Sequence, residues 1–121
     1  MMNKPYEQLA IYWVDLEPTK GAETQKKRPK RFLCVILQYT LVNRGSRTLI
    51  VAPILPNHKD WPFVVNIQPS KKNGLDKDRH VNLKQLRVVD ISRVMDQQGR
   101  LEKNYFPKIQ TALGLVFNLK K

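Results

Sequence analysis

The chain has 121 residues, enough for one domain spanning residues 1–121 with a single apolar core and too few for a second. Its 22 Lys and Arg against 10 Asp and Glu leave a formal charge of +12, which points to a polyanionic partner, either nucleic acid or an acidic protein. Two His and a lone Cys exclude an intrachain disulfide and supply no metal-ligand spacing, and no glycine-rich phosphate loop occurs, so neither metal nor nucleotide cofactor is expected.

In chain order, Leu9 to Leu16 mixes β-branched and aromatic residues as a strand does, and Glu17-Pro18 ends it. Residues 19–31, TKGAETQKKRPKR, carry six cations and one glycine and read as a long basic loop. Phe32 to Tyr39, Thr48 to Ile54 and Pro62 to Ile67 are short apolar runs separated by turn residues, each a predicted strand. Cys34 falls inside the first of these runs and is predicted to be a buried thiol. The polar stretch Ser70 to His80 is a loop, and His80 to Asp90 alternates well enough for one or two more strands.

The period then changes. Leu101, Tyr105, Phe106, Ile109, Ala112, Leu113, Val116 and Phe117 form a helical stripe, with Asn104 as the expected N-cap and Pro107 in the first turn. Five or six short strands and one packing helix predict an α+β fold, a small bent sheet with a barrel-like core and a C-terminal helix. No internal repeat or low-complexity segment occurs. The absence of a signal-like N-terminus and of a run of about 18 apolar residues gives a cytoplasmic expectation. An anionic membrane surface would want a basic amphipathic helix, which is lacking.

The basic loop carries Arg28 and one acid, Glu23, while Tyr12, Trp13, Trp61 and Phe63 lie on the predicted strands. Cations that hold phosphates, interleaved with rings that stack on bases, suit single-stranded nucleic acid. Trp13 and Trp61 also suit the core, which is the favoured expectation for both. Residue types alone thus reach a small RNA- or DNA-binding domain.

The run Ile11-Tyr-Trp-Val-Asp-Leu-Glu-Pro-Thr-Lys-Gly-Ala-Glu23 with Arg28-Pro29 resembles the opening strand and loop of the MazF/PemK endoribonuclease toxins. Asn43-Arg44, Val51-Ala-Pro-Ile54, Trp61-Pro-Phe63 and Gln85-Leu-Arg87-Val-Val-Asp90 follow in the order and spacing of that family, covering about residues 9–118. The resemblance implies an SH3-like barrel of the CcdB/PemK kind and a homodimer. It further implies metal-independent, sequence-selective cleavage of single-stranded RNA, and neutralisation by a small acidic antitoxin. The chemistry implied is attack by a ribose 2′-OH on the adjacent phosphate, which needs a cation for developing charge and groups that move protons. Arg28 falls on the family's Arg-Pro position, where it would stabilise the phosphate, and Glu23 matches the acid of its Gly-x-Glu motif. Lys20, Lys26, Lys27 and Lys30 would line the path of the RNA strand.

The chain departs from the family pattern at several positions. Leu55-Pro56 stands where many members carry Thr or Ser, Ala22 where PemK-type members use His, and Asn82 and Lys84 where they use Arg and Asp. Two readings follow: a cleaving toxin with a rearranged site, recruiting His80, Lys84 or Thr24 beside Asn82, or a homologue that binds RNA in a regulatory role without cutting. A gyrase poison of the related CcdB type is disfavoured, since the tail Phe117-Asn-Leu-Lys-Lys lacks that class's Trp-Gly-Ile ending.

Overall fold

A computed structural model describes residues 6–16 and 30–119. Seven strands, β1 (Ala10–Asp15), β2 (Arg31–Ile36), β3 (Thr48–Pro56), β4 (Val64–Ile67), β5 (Arg79–Asn82), β6 (Arg87–Asp90) and β7 (Val94–Arg100), form an antiparallel sheet in the order β4-β5-β3-β2-β1-β7, with β6 also paired to β3. The sheet is strongly bent and does not close into a ring, so the expected barrel is an open one. A short helix, α1 (Thr40–Asn43), links β2 to β3, and α2 (Phe106–Phe117) ends the described chain.

Side chains alternate across a strand, yet both faces of β1 to β3 are apolar because both are covered. Ile11, Leu33, Val35, Ala52, Ile54, Val81 and Leu83 point to one face, where Ile109 and Ala112 of α2 seal them. Ala10, Val14, Cys34, Ile36, Leu49, Val51 and Val89 point to the other, where the bent sheet folds over itself. Continuous apolar runs therefore mark strands buried on both faces. Cys34 is fully buried, as expected, and desolvation pushes its thiol up to about 12 despite the opposing Arg87 guanidinium.

The helix starts later than its stripe. Leu101 and Tyr105 precede it, and Asn104 is not its N-cap but lies in the 3₁₀ turn Lys103–Tyr105 that leads into Phe106. Pro107 does sit in the first turn, where its missing N–H has no intrahelical partner. The end is marked by Asn118 in the left-handed region at φ 56, with Leu119 N–H donating to the Gly114 carbonyl at 2.8 Å. Phe117, at the end of the stripe, is exposed rather than packed.

Strand β7 and helix α1 were not predicted. Strand β7, VMDQQGR, pairs among the described residues with β1 alone and packs little apolar surface, so it has no alternation to betray it. Its seat is steric: a Cβ at Gly99 would press on the Asn73 carbonyl and come within 2.7 Å of the Lys72 carbonyl oxygen. That loop is held by buried Asn73, whose side chain accepts from Ser70 and Leu75 N–H groups and donates to Gln68 and Glu102.

Candidate functional site

The face bearing Cys34 and Val51 continues past the folded-over part of the sheet and opens to solvent. Leu16 follows β1, Phe32 is on β2, Pro53 and Leu55 are on β3, and Arg87 is on β6. Their parity is set by the register, in which Cys34 pairs with Pro53, Val14 with Phe32 and Val51 with Arg87, since directly opposed residues share a face. Together with Lys30 and Gln85 they line a groove of about 440 Å³ whose floor is apolar and whose cations are Lys30 and Arg87. Leu16 and Lys30 are the last described residues on either side of segment 17–29. Both described neighbours of segment 17–29 therefore line this groove.

Lys20, Glu23, Thr24, Lys26, Lys27 and Arg28 belong to that segment and lie outside the described residues. Lys30 is exposed at the groove's edge. The remaining three sit on or just after β5, but they are not alike. Asn82 is buried and its Oδ1 accepts from the Lys84 N–H at 3.0 Å, which caps the 3₁₀ turn Leu83–Gln85. Its carbonyl oxygen is thus spent on shaping the turn that presents Lys84 and Gln85. Lys84 is exposed, with Nζ 4.9 Å from the centre of the Phe63 ring.

His80 is only 2% exposed. A carbonyl oxygen can only accept, so the 2.7 Å contact with the Asn57 oxygen puts the proton on His80 Nδ1. Nε2 is buried and finds no hydrogen-bond partner among the described residues. The imidazole lies edge-on to Trp61, ring centres 6.1 Å apart, and His80 is the β5 partner of Leu55 of the groove. His80 therefore lies on the same face of the sheet as Leu55, buried against Trp61.

Trp61 departs from the expectation of a core position: it is 45% exposed and stacked on Phe63. Trp13 packs partly against the core on the helix side, and its Nε1–H donates to Gln98 Oε1 at 3.0 Å. Gln85 and Arg87 were not among the predicted site residues. Arg87 carried a readable signal, a cation at the start of the apolar run Val88-Val89, but its placement in the groove depends on pairing with β3. Among the described residues no group of three or more His, Cys, Asp or Glu is arranged to hold a metal ion.

A cationic groove with an apolar floor is suited to holding an extended polyanion with its flat apolar parts against the protein. Comparison with known proteins narrows this. The chain is 33% identical over 111 residues to endoribonuclease MazF of Staphylococcus epidermidis, covering 90% of this chain and 88% of that one. It is 29% identical over 110 residues to endoribonuclease EndoA of Bacillus subtilis (strain 168), with 90% and 91% covered. Among solved structures, the Mycobacterium tuberculosis toxin MazF-mt6 superposes with a TM-score of 0.76 at 20% identity, covering 93% of this chain and 99% of that one. A MazE–MazF structure from Deinococcus radiodurans gives 0.76 at 18% identity, covering 98% and 100%. The family model described as PemK-like, MazF-like toxin of type II toxin–antitoxin system matches residues 7–117, nearly the whole chain, and the protein belongs to that family.

Proposed function

We propose that this protein is a toxin that cleaves single-stranded RNA by attack of a ribose 2′-OH on the adjacent phosphate, without a metal ion. The observation that carries the reading is the groove itself. It joins Lys30 and Arg87 to the two ends of the segment bearing Arg28 and Glu23, in a chain of the MazF/PemK family. In this reading Arg28 stabilises charge on the transferring phosphate and Glu23 positions the loop or takes a proton. Lys20, Lys26, Lys27, Lys30 and Lys84 hold neighbouring phosphates, with Thr24 beside them, while Asn82 supports the turn of Lys84 and His80 the ring of Trp61.

The endoribonuclease names of relatives at 29% and 33% identity favour cutting over binding alone. An acidic antitoxin is the partner that the +12 charge suits. A homodimer is proposed through exposed Leu41 and Val42 of α1 and Leu115 and Leu119 at the end of α2, giving a species near twice 14.2 kDa in sedimentation. No helix among the described residues is long and apolar enough to cross a membrane, and we place the protein in the cytoplasm, where its RNA substrate is.

The test is incubation of the purified protein with a long RNA in chelator, followed by mapping of the new ends. Discrete cuts that leave a 2′,3′-cyclic phosphate are expected. A strict requirement for added divalent metal, or no cleavage of any RNA, would overturn the proposal.

A further inference from the structure

The turn between β3 and β4 carries a ring pair that neither the core nor the groove chemistry uses. Trp61 and Phe63 stack with centres 5.4 Å apart and planes 20° from parallel, and Trp61 is nearly half exposed. Lys59 Nζ lies 5.2 Å from the Trp61 ring centre and Lys84 Nζ 4.9 Å from that of Phe63. We propose that Trp61 on Phe63, flanked by Lys59 and Lys84, is a stacking subsite for one unpaired base of the RNA strand held in the groove.

The turn is built rigidly. Asn66 clamps Lys59 from both sides, its Oδ1 accepting from the Lys59 N–H and its Nδ2 donating to the Lys59 carbonyl, each at 3.0 Å. Asn57, in the left-handed region at φ 69, donates its N–H to the Asp78 carbonyl at 3.1 Å and accepts the His80 Nδ1 proton. Val64 N–H closes back on the Trp61 carbonyl at 3.3 Å, and His80 braces the Trp61 ring edge-on. A large ring held half in water by so many fixed contacts loses little further freedom when a planar ligand lands on it.

The chemistry selects the ligand. The ammonium groups mark the electron-rich ring faces, the surfaces on which a base stacks. A flexible, exposed lysine is readily displaced by the base and is then within reach of its phosphate. Rings with cations on either side match a strand that alternates bases and phosphates. The subsite is also continuous with the groove: Leu83 N–H donates to the Phe63 carbonyl at 3.1 Å, so the turn that puts Lys84 over Phe63 also puts Gln85 into the groove. Since every base has a stacking face, the subsite holds the strand rather than reading its sequence.

The inference rests on the RNA reading above, and its test separates the two. Trp13→Phe leaves Trp61 as the only tryptophan, because the chain has two. Titration uses short randomised 2′-O-methyl oligoribonucleotides, which lack the attacking hydroxyl, with inorganic polyphosphate as a polyanion without bases; cleavage of unmodified RNA is measured in parallel. Trp61 emission should be quenched by the oligonucleotides and not by polyphosphate. Trp61→Ala should weaken oligonucleotide binding about five-fold to a hundred-fold, the worth of one stacked base, with the salt dependence unchanged. Trp61→Phe should restore most of it, and Lys59→Ala should instead lower the slope of log K against log salt by about 0.7.

Should Trp61→Ala unfold the turn, the emission change still decides. Oligonucleotide binding with unaltered Trp61 emission, or with unchanged affinity in a folded Trp61→Ala protein, in a protein that cuts RNA, would overturn the subsite and leave the endoribonuclease reading standing. No cleavage and no oligonucleotide binding would overturn both. Trp61 variants that lose only an acidic protein partner would give the surface to that partner and refute a base subsite.

Discussion

Arg87 is the groove cation whose surroundings are described, and its removal gives the sharpest check on where RNA lies. Strand β6 is tied to β3 through Thr48–Val51, so Arg87 stays on the groove face by register, and its exposed guanidinium is dispensable to the core. Arg87→Ala should therefore change stability by no more than about 0.5 kcal/mol. If Arg28, Lys30 and Arg87 each neutralise one phosphate, the groove contributes roughly 2 to the slope of log K against log salt on a single strand, and losing Arg87 removes about 0.7 of it. Substrate binding should weaken while kcat changes little, because the resemblance puts the transition-state charge on Arg28. Arg87→Lys should recover the salt slope but not the full affinity, as an ammonium offers a point charge where the guanidinium fork spans two oxygens. The assay is single-turnover cleavage of a mapped RNA at several salt concentrations, with thermal melting as the fold control. An unchanged KM and salt slope would show that RNA does not run through this groove. A kcat loss of about a hundred-fold or more, the worth of one transition-state donor, would move the principal phosphate cation from Arg28 to Arg87.

Asn82→Ala removes the cap of the turn Leu83–Gln85 and should cost about 1 kcal/mol of stability, read from urea midpoints, together with weaker RNA binding as Lys84 and Gln85 lose their placement. A full binding loss with unchanged stability would make Asn82 a direct RNA contact instead. Gly99→Ala should destabilise by about 1–3 kcal/mol or more, because its Cβ would meet backbone carbonyls of the 70–74 loop that cannot step aside; a wild-type melting temperature would refute that packing. Burial raises the Glu102 carboxyl, but hydrogen bonds from Ser70, its own backbone N–H and Asn73, with Lys72 nearby, outweigh this and hold it below the usual carboxylate range. Its contribution is thus complete above the unfolded-state value and lost as pH falls through the lower folded-state one. The stability gap between the wild type and Glu102→Gln should accordingly shrink from neutral pH to about pH 3, below ordinary carboxylate values; a gap independent of pH would exclude this role.

The sequence by itself determined the family, the charge and the elements that bury apolar surface. The runs that became β2 and β3, and the stripe Ile109-Ala112, are legible because water expels them whatever their neighbours, and the ordered motifs from Ile11 to Asp90 carried the toxin resemblance. Strand β7 was illegible for the same reason reversed: Met95, Asp96, Gln97 and Gln98 are exposed, and their strand is specified by backbone pairing to β1 and the space at Gly99. The site divided along the same line. Cations could be picked out by type, but whether a polar side chain faces RNA or the protein interior depends on which strand lies opposite. Thus His80 and Asn82, alike in sequence to any loop-edge polar residues, are buried, the one against Trp61 and the other capping the turn of Lys84, while Arg87 and Gln85 join Lys30 in the groove. Only the tertiary structure decided this: the register of β3 with β5 and β6 puts His80 and Arg87 on one face, a slip of one residue would turn each to the opposite side, and the turn that carries Asn57 and Trp61 then packs on His80 and leaves Arg87 open.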